Sequence, residues 1–167
     1  MPTQTKETQK VEREIKKLID KLHIRIADFR RHTDGIKTIA VRQSNATGEI
    51  QVTLITIGKK IKDLKLLASH IMKLPNVVSV FQNETQWQNP QVWGNKTIKL
   101  FGKSHITEEI LGKKFKLSPR AFFQLNPEQT TTLYSEALKY LDLTPDQTLI
   151  DAYAGVGTLG ILASDQV

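Results

Sequence analysis

Apolar residues recur at helical spacing across residues 7–22, where Val11, Ile15, Leu18, Ile19 and Leu22 form one stripe with lysines and glutamates between them. That pattern predicts an amphipathic helix docked on a larger body. The period then changes. Ile36–Gln43 and Glu49–Ile57 alternate apolar and polar positions around the turn-rich Ser44-Asn45-Ala46-Thr47-Gly48, which predicts a β-hairpin. Helical spacing returns at Ile61, Leu64, Leu67, Ala68, Ile71 and Met72, stops at Pro75-Asn76, and gives way to a strand over Val77–Phe81. Residues 83–95 are polar and read as a loop carrying two large rings, Trp87 and Trp93. Three short strands are expected at Thr97–Phe101, His105–Ile110 and Lys113–Leu117, separated by Gly102 and Gly112. Together these segments predict an α+β fold with a mostly antiparallel sheet and flanking helices.

A different pattern follows. Asn126 is a good N-cap, Pro127 suits a first helical turn and Gln129 stands three residues after the cap, so a helix should begin here with Leu133, Ala137, Leu138 and Leu141 on its apolar face. Thr148–Ala152 is an apolar run short enough for a buried parallel strand. It leads into a glycine loop, Gly155-Val156-Gly157, and a further helix over Thr158–Ala163.

Charge divides the chain at the same place. Residues 1–118 hold 22 Lys/Arg against 11 Asp/Glu, whereas residues 119–167 hold 2 against 6. A basic body beside an acidic end suits a polyanion-binding part joined to a cofactor-binding part, because lysine and arginine gain affinity by releasing phosphate counterions. The boundary is therefore drawn at 118/119, with 1–118 as a basic α+β domain and 119–167 as the start of a second, incomplete domain. Composition excludes some chemistry outright. The 167 residues hold no cysteine, so they offer no thiolate nucleophile, no disulfide, no cysteine zinc site and no iron–sulfur ligand. His23, His32, His70 and His105 are scattered without metal-ligand spacing, and no metal site is expected. No apolar run approaches the length of about 18 residues that a spanning helix needs, and the N-terminus lacks a leader-like apolar stretch, so a cytoplasmic protein is expected.

Gly155, Gly157 and Gly160 match G-x-G-x-x-G with a strand expected before and a helix after. Glycine suits such a loop because the backbone must turn sharply and approach a ligand with no Cβ in the way. By itself the pattern fits a dinucleotide-binding oxidoreductase as well as a methyl-donor site. Asp151, four residues before Gly155, tilts the choice, because Asp-x-x-x-Gly-x-Gly closing a strand resembles the first motif of S-adenosylmethionine-dependent methyltransferases.

Two longer runs are more specific together. Phe115-Lys116-Leu117-Ser118-Pro119-Arg120-Ala121-Phe122-Phe123-Gln124-Leu125-Asn126, followed by Leu149-Ile150-Asp151-Ala152-Tyr153-Ala154-Gly155-Val156-Gly157-Thr158, resembles the RNA uracil-5 methyltransferase family. Gly35–Arg42 is similar to a Gly-x-x-Arg-x-x-x-x-Arg strand of that family's central domain. The resemblance implies a central domain followed by the first strand and helices of a Rossmann-like methyltransferase domain, with S-adenosylmethionine as methyl donor and ribosomal or transfer RNA as partner.

By that resemblance, Gln124 lies beside the cofactor and the target base, and Phe122 lies near the flipped uracil. Tyr153, Gly155, Gly157, Thr158 and Asp151 line the cofactor. An amide can donate to and accept from a uracil edge, and a ring can hold an unstacked base. At least one of Phe122 and Phe123 should serve packing instead. Arg42, Lys113, Lys114, Lys116 and Arg120 are the candidate RNA contacts, and Trp87 and Trp93 could stack on bases or anchor their loop.

Departures matter equally. The family attacks uracil with a cysteine that these residues lack, its usual cysteine in the glycine loop is Ala154, and the family's N-terminal RNA-binding β-barrel domain is not expected among these residues. The chain is therefore expected to be a fragment that by itself transfers no methyl group. A rival reading keeps only RNA binding by the basic body. One strand and its helices cannot cover both faces of a parallel sheet, so Leu149, Ile150, Leu159, Ile161 and Leu162 should be left partly exposed or bury in self-association.

Overall fold

The computed structural model describes residues 5–124 and 126–167; residues 1–4 and the motif residue Leu125 lie outside it. The fold is α+β, built from a four-stranded sheet, a separate two-stranded hairpin and four helices. Helix α1 (Lys6–Lys21) starts where Thr5 Oγ1 accepts the Thr8 N–H at 3.1 Å. That hydroxyl also donates to Gln43 Oε1 at 2.6 Å, which ties the helix start to the sheet. The predicted stripe is the buried one: Val11, Ile15 and Ile19 are core, with Leu18 and Leu22 packed at its margin.

Strands β1 (Gly35–Gln43) and β2 (Ile50–Ile57) form the expected antiparallel hairpin. Helix α2 (Leu64–Ile71) then crosses over, and strand β3 (Val77–Thr85) pairs with β2 in parallel. Parallel neighbours need such a crossover, since a tight turn returns the chain antiparallel. Strand β4 (Lys96–Gly102) completes the order β1-β2-β3-β4, antiparallel to β3. Every residue of β2 is buried. Ile50, Val52 and Leu54 face the main core with α1 and α2, and alternation turns Gln51, Thr53 and Ile55 to the opposite, equally covered face.

Residues 83–85, expected in a loop, extend β3 instead. Asn83 accounts for the difference: fully buried, its Nδ2 donates to Gly94 O (3.0 Å), Lys96 O (3.2 Å) and Thr97 Oγ1 (2.8 Å), while its Oδ1 accepts Gly94 N–H at 2.7 Å. A polar side chain thus does what an apolar one does elsewhere, pinning the 86–95 loop onto the strand. Gly94 is required there, because a Cβ would stand 1.8 Å from Glu84 O.

Strands β5 (Ile106–Ile110) and β6 (Lys113–Leu117) form the second sheet. Their inward residues Ile106, Ile110, Phe115 and Leu117 make a second core with Leu162, against which Phe123, Tyr134, Leu138 and Val156 pack. This core draws from both sides of residue 118. Helix α3 (Pro127–Leu141) has its expected cap, with Asn126 Oδ1 accepting Gln129 N–H at 3.3 Å. Its packed face differs in part from expectation: Leu138 turns inward as predicted, joined by Thr130 and Tyr134, whereas Leu133 and Leu141, expected beside it, are 57% and 38% exposed. Helix α4 (Thr158–Ala163) follows the glycine loop as predicted.

The run Thr148–Ala152 forms no strand. A lone strand leaves its ladder groups unpaired, and no described segment lies alongside to pair with it. Ile150 and Ile161 are exposed and Leu149 and Leu159 half-exposed, as expected; Leu162 is not, because the β5–β6 hairpin covers it.

Two outcomes follow for stability. Asn83→Ala strips four hydrogen bonds from a buried site and leaves several backbone groups unpaired, so it should cost about 3 kcal/mol in urea unfolding. Glu49 accepts hydrogen bonds from Lys103 Nζ and from Thr107 N–H, and the Lys103 contact above all holds its carboxyl below the ordinary range. Its contribution is present above the unfolded value near 4.5 and lost as pH falls through the lower folded value, so Glu49→Gln should flatten the acid limb of a midpoint-versus-pH curve below pH ~4.5.

Candidate functional site

The Phe122–Gln124 segment alternates between inside and outside. Phe123 packs into the second core, with its ring centroid 5.6 Å from that of Phe115, whereas Phe122 is 74% exposed and Gln124 is exposed. The residue-level ambiguity of the two rings is thereby resolved into one packing ring and one free ring.

The glycine loop follows the same rule. Val156 packs on the second core while Tyr153 beside it is 98% exposed. Gly155 and Gly157 adopt φ of +59° and +75°, the left-handed region that disfavours side chains. Gly157 N–H donates to Ala154 O at 2.7 Å, closing the turn, and Gly157 O accepts Ile161 N–H at 2.8 Å as α4 begins. A Cβ on Gly155 would meet nothing within 4 Å, so the loop has open space on that side. Thr158 is buried at the helix start, and the half-buried Asp151 turns its Oδ2 toward Gly160.

Phe123 and Val156 therefore share one core, and the candidate residues flanking them are presented from the same small hydrophobic body. No hydrogen bond or ring contact joins Phe122 or Gln124 to the glycine loop among the described residues.

The candidate cations separate into two kinds. Lys113 is held by Asp165 at 2.6 and 2.7 Å, joining β6 to the end of α4, whereas Lys114, Lys116 and Arg120 are exposed. Arg42 is half-buried in a cleft of about 250 Å³ that also receives Thr8, Gln51, Thr53, Trp93 and Pro119. Its Nη1 donates to Ser118 O at 3.4 Å, and burial lowers its pKa from the ordinary guanidinium value. No cluster of His, Asp or Glu that could hold a metal ion occurs among the described residues, and no described helix is long and apolar enough to cross a membrane.

Sequence reasoning missed Glu108. Though only 6% exposed, its carboxylate accepts the backbone N–H groups of Asn45 and Ala46 at 2.9 Å each and of Glu109 at 3.1 Å. Nothing in a Thr-Glu-Glu strand distinguishes it from a solvated acid; only its register against Phe115 turns it inward.

No family model matches the chain. An RNA methyltransferase of Lactiplantibacillus plantarum is 46% identical over 159 residues, which is 95% of this chain and 33% of that protein. The chain is similar to bacterial RNA methyltransferases. Others from Enterococcus faecalis and Streptococcus mutans are 42% and 39% identical, each over 160 residues and 35% of their length. The chain thus spans about a third of the curated RNA methyltransferases it matches. A solved Pyrococcus abyssi tRNA (uracil-54, C5)-methyltransferase, in complex with S-adenosyl-L-homocysteine, superposes with a TM-score of 0.70 at 22% identity. It covers 90% of this chain and 36% of its own, so the two share a fold.

The two neighbouring phenylalanines should separate cleanly on substitution. Phe123→Ala is expected to destabilise the chain by about 2 kcal/mol, and Phe122→Ala by less than ~0.5 kcal/mol, in paired denaturation curves.

Proposed function

We propose that this chain supplies the RNA-facing middle and the cofactor-binding opening of an RNA uracil-5 methyltransferase that uses S-adenosylmethionine. The observation that carries the reading is the shared core of Phe123 and Val156. It turns Phe122, Gln124 and Tyr153 outward from one body, leaving two rings and an amide exposed among the described residues. The similarity to bacterial RNA methyltransferases and the fold shared with a uracil-C5 enzyme support it.

The residues fit the donor. A glycine loop with positive φ and open space at Gly155 can take a ligand against its backbone, and Tyr153 can cover one side of it. When bound, S-adenosylmethionine supplies an electrophilic methyl group on a sulfonium. The chain's own part is binding and orientation. Gln124 can present an N–H to a uracil carbonyl and accept from the ring N–H, fixing the base edge, while Phe122 offers a face to the unstacked ring. Lys114, Lys116 and Arg120 stand free to meet phosphates. No thiol lies within these 167 residues, so the covalent step on the base needs a nucleophile from elsewhere, and the chain alone transfers no methyl group.

A chimaera tests this directly. With residues 1–167 replacing the matching stretch of the Lactiplantibacillus plantarum relative, RNA nucleosides analysed by mass spectrometry should contain 5-methyluridine. Gln124→Ala in the chimaera should lower its formation by about 100-fold, the size of effect that a lost orienting contact produces. A folded chimaera yielding a different methylated nucleoside, or none, would sink the uracil-5 reading.

A further inference from the structure

The segment between α1 and β1 is built more carefully than a connection requires. Asp28 and Thr33 exchange backbone hydrogen bonds at 3.1 and 3.2 Å, closing a four-residue tip, Phe29-Arg30-Arg31-His32. Asp28 Oδ1 accepts Arg30 N–H at 2.8 Å and Arg31 N–H at 3.2 Å, so two of the tip's amides are occupied from within. Below it, Ala27 N–H donates to Ile36 O and Ile36 N–H to Arg25 O, lashing the segment to the start of β1. Gly35 is needed for that approach, because a Cβ there would stand 2.5 Å from the carbonyl carbon of Ile26. His32 holds φ of +51°, a conformation that few non-glycine residues adopt.

This closed tip presents four exposed side chains. Phe29 is 55% exposed and belongs to neither core. It meets half-buried Trp87 edge to face, with centroids 5.0 Å apart and planes at 89°, and His32 lies against the same indole at 5.6 Å. Such a pair leaves at least one ring face of each partner uncovered by the other. Lys37 Nζ lies 5.9 Å from the Phe29 centroid, and the same segment carries three exposed guanidinium groups, Arg25, Arg30 and Arg31. Of the two nearby acids, Asp28 is committed to the tip amides and to Arg31 at 3.7 Å, while the exposed Asp34 lies against Gly58.

We propose that the Phe29–His32 tip, with Trp87, is an RNA-binding finger that stacks an unpaired base on the aromatic pair and neutralises flanking phosphates with Arg30 and Arg31. It rests on the reading that the chain works on RNA. Flat ring faces beside guanidinium groups select single-stranded or loop RNA, since paired bases keep their faces hidden. A closed tip also loses little conformational freedom on binding.

Fluorescence anisotropy with the full chain, a labelled unstructured RNA oligonucleotide and a matched duplex tests the finger. Phe29→Ala should weaken single-strand binding by about 10- to 100-fold without changing its salt dependence. The pair Arg30→Ala/Arg31→Ala should lower the slope of log K against log salt by about 1.4. Lys16→Ala/Lys17→Ala, on α1, should do neither beyond its own small charge effect, and thermal melts check that each variant is folded. Equal binding of duplex and single strand, equal binding of polyglutamate, or a Phe29→Ala variant that binds as tightly as the parent would overturn the proposal. The outcome is separable from the function reading: a chimaera that makes 5-methyluridine while tip variants bind RNA normally defeats the finger alone, and the reverse result defeats the uracil-5 assignment alone.

Discussion

One buried carboxylate joins the two halves of the molecule. Glu108 projects from the β5–β6 hairpin into the β1–β2 turn, where the amides of Asn45 and Ala46 meet it, and Ser44 Oγ donates to the neighbouring Thr107 O at 2.7 Å. A charge this deep is tolerated only when its lone pairs are satisfied, and here backbone N–H groups do so in place of a cation. The consequence is positional. The hairpin carries the second core, the second core seats Phe123 and Val156, and those two residues aim the candidate site. The clamp acts together with Glu49, which accepts from Lys103 and Thr107, and with the Arg42–Ser118 contact to hold the outward-facing residues against the main sheet.

The sheet illustrates what periodicity conveys. The stripe of α1 was legible because burial on one face imposes a period on the sequence, and β2 because Ile50, Val52 and Leu54 alternate with Gln51 and Thr53 even though both faces are covered. The parallel pairing of β2 with β3 was not, since a buried strand reads alike in either direction and only the α2 crossover decides it. Nor was the extension of β3 through Asn83, because a side chain that satisfies three acceptors and a donor inside the protein looks polar on paper. On α3 the stripe is only partly legible: Leu138 packs as its spacing predicts, whereas Leu133 and Leu141 fit the same stripe yet stay exposed, because the second core takes Tyr134 instead.

At the site, residue identity was readable and orientation was not. The glycine loop and the Phe-Phe-Gln run stand out as motifs, but a sequence cannot say which of two adjacent rings packs. Alternation against the hairpin supplies that. Likewise, the lysines of β6 are equivalent in composition; the ion pair with Asp165 sets Lys113 apart from Lys114 and Lys116. Thr148–Ala152 has the composition of a strand without the partner that would make it one, a reminder that strands are collective objects while helices close their own hydrogen bonds.

The two tryptophans fall in different places, Trp87 against the tip of the α1–β1 segment and Trp93 in the cleft beside Arg42. They are the chain's complete complement of indoles. Each is only half-buried, so each emission responds to what approaches it. Replacing either with phenylalanine leaves a protein with a single intrinsic fluorophore, and the molecule thereby carries its own optical label for each surface without any attached dye.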